Sequence, residues 1–107
     1  MPPVLLLAFA IAAEVAATVA LRASDGFTRP LANVIVVAGY GISFWLLALV
    51  LKHLSVGLTY AVWAAVGTAL VATIGIFAFD EAATPLKIAS IALIIAGVVG
   101  INAAEGH

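Results

Sequence analysis

Four long apolar runs, separated by three short polar interruptions, restrict this chain to very few folds. The first interruption is Arg22-Ala23-Ser24-Asp25-Gly26-Phe27-Thr28-Arg29-Pro30. The second is Lys52-His53-Leu54-Ser55, with Gly57 just beyond, and the third is Asp80-Glu81-Ala82-Ala83-Thr84-Pro85. Asp25-Gly26 is a turn pair, and Pro30 and Pro85, which lack a backbone donor, suit the first turn of a new helix. The runs between them, about 3–21, 31–51, 56–79 and 86–104, are each long enough to cross the ~30 Å hydrocarbon core once as a helix. They are continuously apolar rather than alternating, which excludes the strands of a membrane barrel. The expected fold is an all-α integral membrane protein of four transmembrane helices, one membrane domain over 1–107 with almost no extramembrane mass.

Composition narrows the functions as well. With 66% hydrophobic and 8% charged residues, the chain lies outside the range of soluble globular domains. A formal net charge of −1 argues against nucleic acid or anionic lipid as a partner. There is no cysteine, hence no disulfide and no thiolate site. His53 and His107 lie near segment ends and form no ligand cluster, so no metal is expected. Ala8-Phe9-Ala10 resembles a signal-peptide cleavage site, yet no positive residue precedes Arg22, and the first segment is expected to be retained.

Glu14 is the one charge inside the first apolar run. About eleven residues of helix precede it, which puts its carboxyl near the bilayer midplane. A carboxyl there is costly unless it is protonated, paired or facing a polar cavity, and it reads by default as a functional site. The competing reading is a protonated acid bonding a neighbouring helix as structural glue. Leu7, Ala10, Ile11, Ala17, Thr18 and Leu21 share its helix face, and the small ones, Ala10, Ala17 and Thr18, leave room beside the carboxylate. Helix two offers Tyr40, Ser43 and Phe44 close to mid-span, and helix three offers Tyr60 and Trp63 one turn apart, then Gly67.

A carboxylate with tyrosine and tryptophan rings suits a lipophilic organic cation. Aromatic faces attract cations and stack with flat rings, and the carboxylate supplies the counter-charge. A hard metal ion would need several oxygen ligands, and only Glu14 supplies a charged one inside the membrane. Low dielectric favours the protonated acid, whereas an arriving cation favours the carboxylate. Proton and cation then compete for one group, the minimal chemistry of an antiporter. No second catalytic group accompanies Glu14 on any span, so an enzyme is not expected.

Four thin helices enclose little volume, and an oligomer is expected. On the last run Ala92, Ala96, Gly100 and Ala104 recur every four residues, and Ser90 and Gly97 lie seven apart on an adjacent face. Such small-residue ridges let backbones approach in lipid; packing inside one chain is the alternative use. Gly67 and Gly75 could permit bending of helix three, or close packing. Arg22, Arg29 and Lys87 lie on one side and Lys52 on the other, so the positive-inside rule gives only a weak bias and leaves dual insertion open.

The whole chain resembles the small multidrug resistance family. The resemblance is carried by Ala13-Glu14-Val15, Gly26-Phe27-Thr28-Arg29, Ser43-Phe44-Trp45-Leu46-Leu47-Ala48, Tyr60-Ala61-Val62-Trp63, Gly67, Gly97 and Asn102. It implies a multi-pass exporter of the bacterial inner membrane, working as an antiparallel homodimer driven by the proton gradient without a cofactor. On matching positions, Glu14 would bind either proton or substrate, Tyr40, Tyr60 and Trp63 would line the chamber with Ser43 and Thr18 nearby, and Gly67, Ser90 and Gly97 would serve dimer contact or hinge. Ala10, Ile11 and Ala17 are the further candidate lining residues. The guanidinium branch typically has glycine three before the glutamate and tryptophan three after it; Ile11 and Ala17 stand there instead, favouring the multidrug, quaternary ammonium branch. Ala17, Ala65 and Ser90 replace glycines of the best-known multidrug members. The other readings are a guanidinium or small-amine exporter, a proton-conducting ring subunit, and a purely structural membrane partner.

Overall fold

A computed structural model describes residues 2–105, so His107 lies outside the described residues. Four helices follow one another: α1 (Pro3–Ala23), α2 (Pro30–Val50), α3 (Val56–Ala78) and α4 (Pro85–Ala104), with no strand among the described residues. Each is long and apolar enough to cross a membrane. At 20 to 23 residues, they measure about 30–35 Å.

The helix starts follow from local chemistry. Prolines occupy the first turn of α1, α2 and α4, where the missing backbone donor costs nothing. The start of α3 has no proline and uses a side-chain cap, Ser55 Oγ accepting from Leu58 N at 3.2 Å. Thr84 Oγ1 caps α4 in the same way, accepting from Lys87 N at 3.1 Å. The first helix runs two residues past the end expected from apolarity. Arg22 falls in its last turn, where a cation complements the helix dipole, and Ser24 Oγ donates to the Leu21 carbonyl at 2.7 Å.

The α1–α2 connection is a left-handed turn wider than the Asp25-Gly26 pair alone. Asp25, Gly26 and Phe27 all have positive φ, at 51°, 69° and 68°. The non-glycine residues tolerate this because the turn is held by its own bonds. Phe27 N donates to Ser24 Oγ at 3.0 Å, Thr28 N to the Ser24 carbonyl at 2.9 Å, and Asn33 Nδ2 to the Phe27 carbonyl at 2.8 Å.

The chain divides into two compact units, Met1–Leu54 and Ser55–His107. In the first, α1 and α2 form a close antiparallel hairpin. Leu7, Ala10, Ile11, Val15, Ala17 and Ala20 are buried on α1, and Val36, Ser43 and Val50 on α2. In the second, α3 buries Thr59, Ala65, Gly67 and Gly75, whereas no residue of α4 is buried among those described. The Glu81 carboxylate lies over Gly75, whose carbonyl accepts from the backbone of Phe79 and Glu81 at 3.0 Å each. The two ends of this unit are tied where Ser55 Oγ donates to Glu105 Oε1 at 2.7 Å.

Candidate functional site

Glu14 stands in the middle of α1 and is half-buried. One turn on, Thr18 Oγ1 donates to Glu14 Oε1 at 2.8 Å. The same Oγ1 lies 2.8 Å from the Tyr40 hydroxyl on α2. A threonine hydroxyl has one hydrogen, so while it donates to Glu14 the Tyr40 O–H must be the donor to Thr18. The three side chains thus form a directed chain from α2 to α1 that ends on the carboxylate. The Tyr40 ring is in turn stacked on Phe44, with centroids 6.2 Å apart and planes 19° from parallel.

Small residues make this contact reachable. A Cβ at Gly39 would lie 2.8 Å from Ala17 Cβ and 3.0 Å from the Ala13 carbonyl oxygen, so only glycine allows α2 to come this close. Gly39 precedes Tyr40 and Ala17 precedes Thr18, so the point of closest approach brings the two hydroxyls together. Three residues along α2, fully buried Ser43 donates to the Ala10 carbonyl at 2.8 Å. In lipid, where apolar surfaces gain little by meeting, close packing and interhelical hydrogen bonds of this kind fix the pairing.

The sequence-expected residues separate into two groups. Glu14, Thr18, Tyr40 and Ser43 come together in the first unit. Ala10, Ile11 and Ala17 belong to the chain's interior, at 0%, 3% and 0% exposure. Within the hairpin, α2 packs against α1 at Ala10 and Ala17. In the second unit, Tyr60 and Trp63 sit one turn apart on α3, Tyr60 being 71% exposed and Trp63 half-buried, with Gly67 buried one turn further on. On α4, Ser90 is exposed and turns its hydroxyl back to the Leu86 carbonyl at 2.7 Å. A Cβ at Gly97 would meet nothing within 4 Å.

Sequence reasoning missed two residues. Gly39 was readable in principle as one of the two glycines that flank the mid-span Tyr40. Thr59 is 1% exposed and its hydroxyl is buried without a hydrogen-bond partner; its only signal was a polar side chain next to Tyr60. Among the described residues, no group of three His, Cys, Asp or Glu comes together as a metal site.

Comparison with known proteins agrees with the motifs. The Small Multidrug Resistance protein family pattern matches residues 3–94. The multidrug transporter PA4990 of Pseudomonas aeruginosa is 44% identical over 106 residues, covering 96% of each chain. The quaternary ammonium compound-resistance protein QacF of Klebsiella aerogenes is 45% identical over 90% of this chain and 87% of its own. The multidrug resistance protein EbrA of Bacillus licheniformis is 43% identical over 90% of this chain and 91% of its own. With four membrane-spanning helices and matches of this extent, the chain belongs to the small multidrug resistance family and is a multi-pass protein of the bacterial inner membrane.

Proposed function

We propose that the chain is a proton-coupled antiporter that exports lipophilic, aromatic organic cations such as quaternary ammonium compounds. The observation that carries this reading is Glu14, a half-buried carboxylate at mid-span held by Thr18 and, through it, by Tyr40. A carboxylate at that depth gains most from a partner with little hydration to lose, and a lipophilic cation is such a partner. The names of the relatives, multidrug transporter and quaternary ammonium resistance protein, point to the same substrates.

Proton and substrate exclude each other at Glu14. A proton arriving from the outer side neutralises the carboxylate and discharges the cation; its loss on the inner side restores the site. Substrate affinity should therefore fall as pH is lowered, because acid fills the site with protons. No covalent step and no cofactor enter this scheme, and the proton gradient supplies the driving force.

Tyr60 and Trp63 on α3 would supply ring faces for aromatic cations, and Gly67 the freedom to bend or pack. A second copy of the chain, inserted in the opposite sense, would complete the chamber and bring a second Glu14. The uncovered small-residue ridge of α4, with Ser90 and Gly97 beside it, supports such pairing, and the weak bias of basic residues between the two sides leaves both insertion senses open. Exchange of conformations between two identical, opposed subunits then turns an inward-facing site into an equivalent outward-facing one.

Reconstituted protein should move ethidium against a proton gradient, and Glu14→Gln should abolish that transport. Transport surviving in Glu14→Gln would overturn the proposal.

A further inference from the structure

The bond chain Tyr40–Thr18–Glu14 has one hydroxyl hydrogen at its centre and two oxygens that want it. We propose that Thr18 is a positioning residue through which the protonation of Glu14 reverses this chain and so switches Tyr40 between two presentations to the cation. The inference rests on the proposed role of Glu14 as the group shared by proton and substrate.

With Glu14 ionised, its oxygen accepts from Thr18, and Thr18 Oγ1 accepts from Tyr40. The Tyr40 hydrogen is then tied up inside the hairpin, and the phenol presents lone pairs and ring face outward, both of which attract a cation. When Glu14 gains a proton on Oε1, the oxygen that Thr18 bonds, the new O–H needs an acceptor of its own. An unmade buried donor is costly, and Thr18 Oγ1 already lies 2.8 Å away. If the acid donates to Thr18, the Thr18 hydrogen must turn to Tyr40, whose oxygen is also 2.8 Å away. Tyr40 is now an acceptor inside the hairpin, and its own hydrogen is released outward, where its positive end opposes a cation. One proton thus removes two favourable groups from the cation site, the carboxylate and the phenol oxygen.

The arrangement has few competitors for this control. The titratable groups on the two packed helices are Glu14, Arg22 and Tyr40. Arg22 lies two turns beyond Glu14, about 12 Å along the axis, and outside the bond chain. The Tyr40 ring is held by its stacking on Phe44, so the change falls on the hydroxyl rather than on the ring position. The shared hydroxyl would also explain why a threonine is useful at this point: valine has the same shape and no hydrogen to pass on.

The test is a pH titration of the whole protein in bilayers without substrate, with carbon-13 labels on the Glu14 carboxyl and the Tyr40 phenol carbon. In the native protein both signals should move with one midpoint. In Thr18→Val the Glu14 signal should still titrate while the Tyr40 response is lost, and Thr18→Ser should restore it. A Tyr40 signal that stays flat while native Glu14 titrates would overturn the switch, and the native titration decides this even if Thr18→Val does not fold. Tyr40 tracking Glu14 undiminished in Thr18→Val would overturn the role of Thr18. Failure of Glu14 itself to titrate, or to release a proton to solvent when tetraphenylphosphonium binds, would instead overturn the antiport reading.

Discussion

Polar side chains of α1 and α2 bond across the helix pair, Tyr40 to Thr18 and Ser43 to the Ala10 carbonyl, whereas Thr73 on α3 and Ser90 on α4 bond to their own helix. Thr73 returns to the Ala69 carbonyl and Ser90 to the Leu86 carbonyl, each at 2.7 Å. Burial follows the same division less sharply, with nine buried residues on α1 and α2, four on α3 and none among the described residues of α4. In lipid, cross-helix hydrogen bonds and close backbone approach define a pairing, so the first hairpin is fixed by its own residues. In the second unit the small-residue ridge of α4 is exposed.

Substitutions can break this contrast, and the largest effect is expected at the charge itself. Glu14→Gln should remove proton-driven export completely, measured as ethidium flux in liposomes, while leaving the helical fold in place. Next come the glycines. Gly39→Ala puts a methyl group 2.8 Å from Ala17 Cβ and should cost about 1–3 kcal/mol in unfolding experiments in detergent. Gly97→Leu enters open space and should leave single-chain stability unchanged, yet it should reduce cross-linked dimer if α4 pairs two copies. Equal destabilisation by both would erase the distinction between the hairpins.

Smaller effects sharpen the same comparison. Trp63→Ala should weaken binding of aromatic cations by roughly 2 kcal/mol, or about thirtyfold, and that of small amines much less. Equal losses for both substrate types, measured by calorimetry, would remove the stacking role from α3. Ser43→Ala deletes a buried cross-helix bond and should cost about 1 kcal/mol, whereas Ser90→Ala, which deletes only a bond within one exposed turn, should change stability by a few tenths at most.

Much of this architecture was legible in the residues. Pro30 and Pro85 begin helices where their missing donors predicted, and the four runs end within about two residues of their expected limits because turn chemistry coincides with loss of apolarity. Where the ends differ, side chains decided, as at Arg22 and Ser24, whose dipole and hydroxyl contacts extend α1. Helical spacing also placed Thr18 beside Glu14, since residues four apart share a face. Spacing within one helix carries no information about its neighbour's rotation, so the packing of α2 on Ala10 and Ala17 could not be read from it. The same limit hid the Thr18–Tyr40 bond, which depends on a single glycine letting two backbones approach.

Competition between proton and cation at Glu14 is the central claim, and proton release measures it most directly. Purified protein in weakly buffered detergent should release protons when tetraphenylphosphonium is added, with a smaller response to guanidinium and none from Glu14→Gln. Binding of tetraphenylphosphonium without proton release across the whole accessible pH range, or release of equal size from Glu14→Gln, would contradict the account.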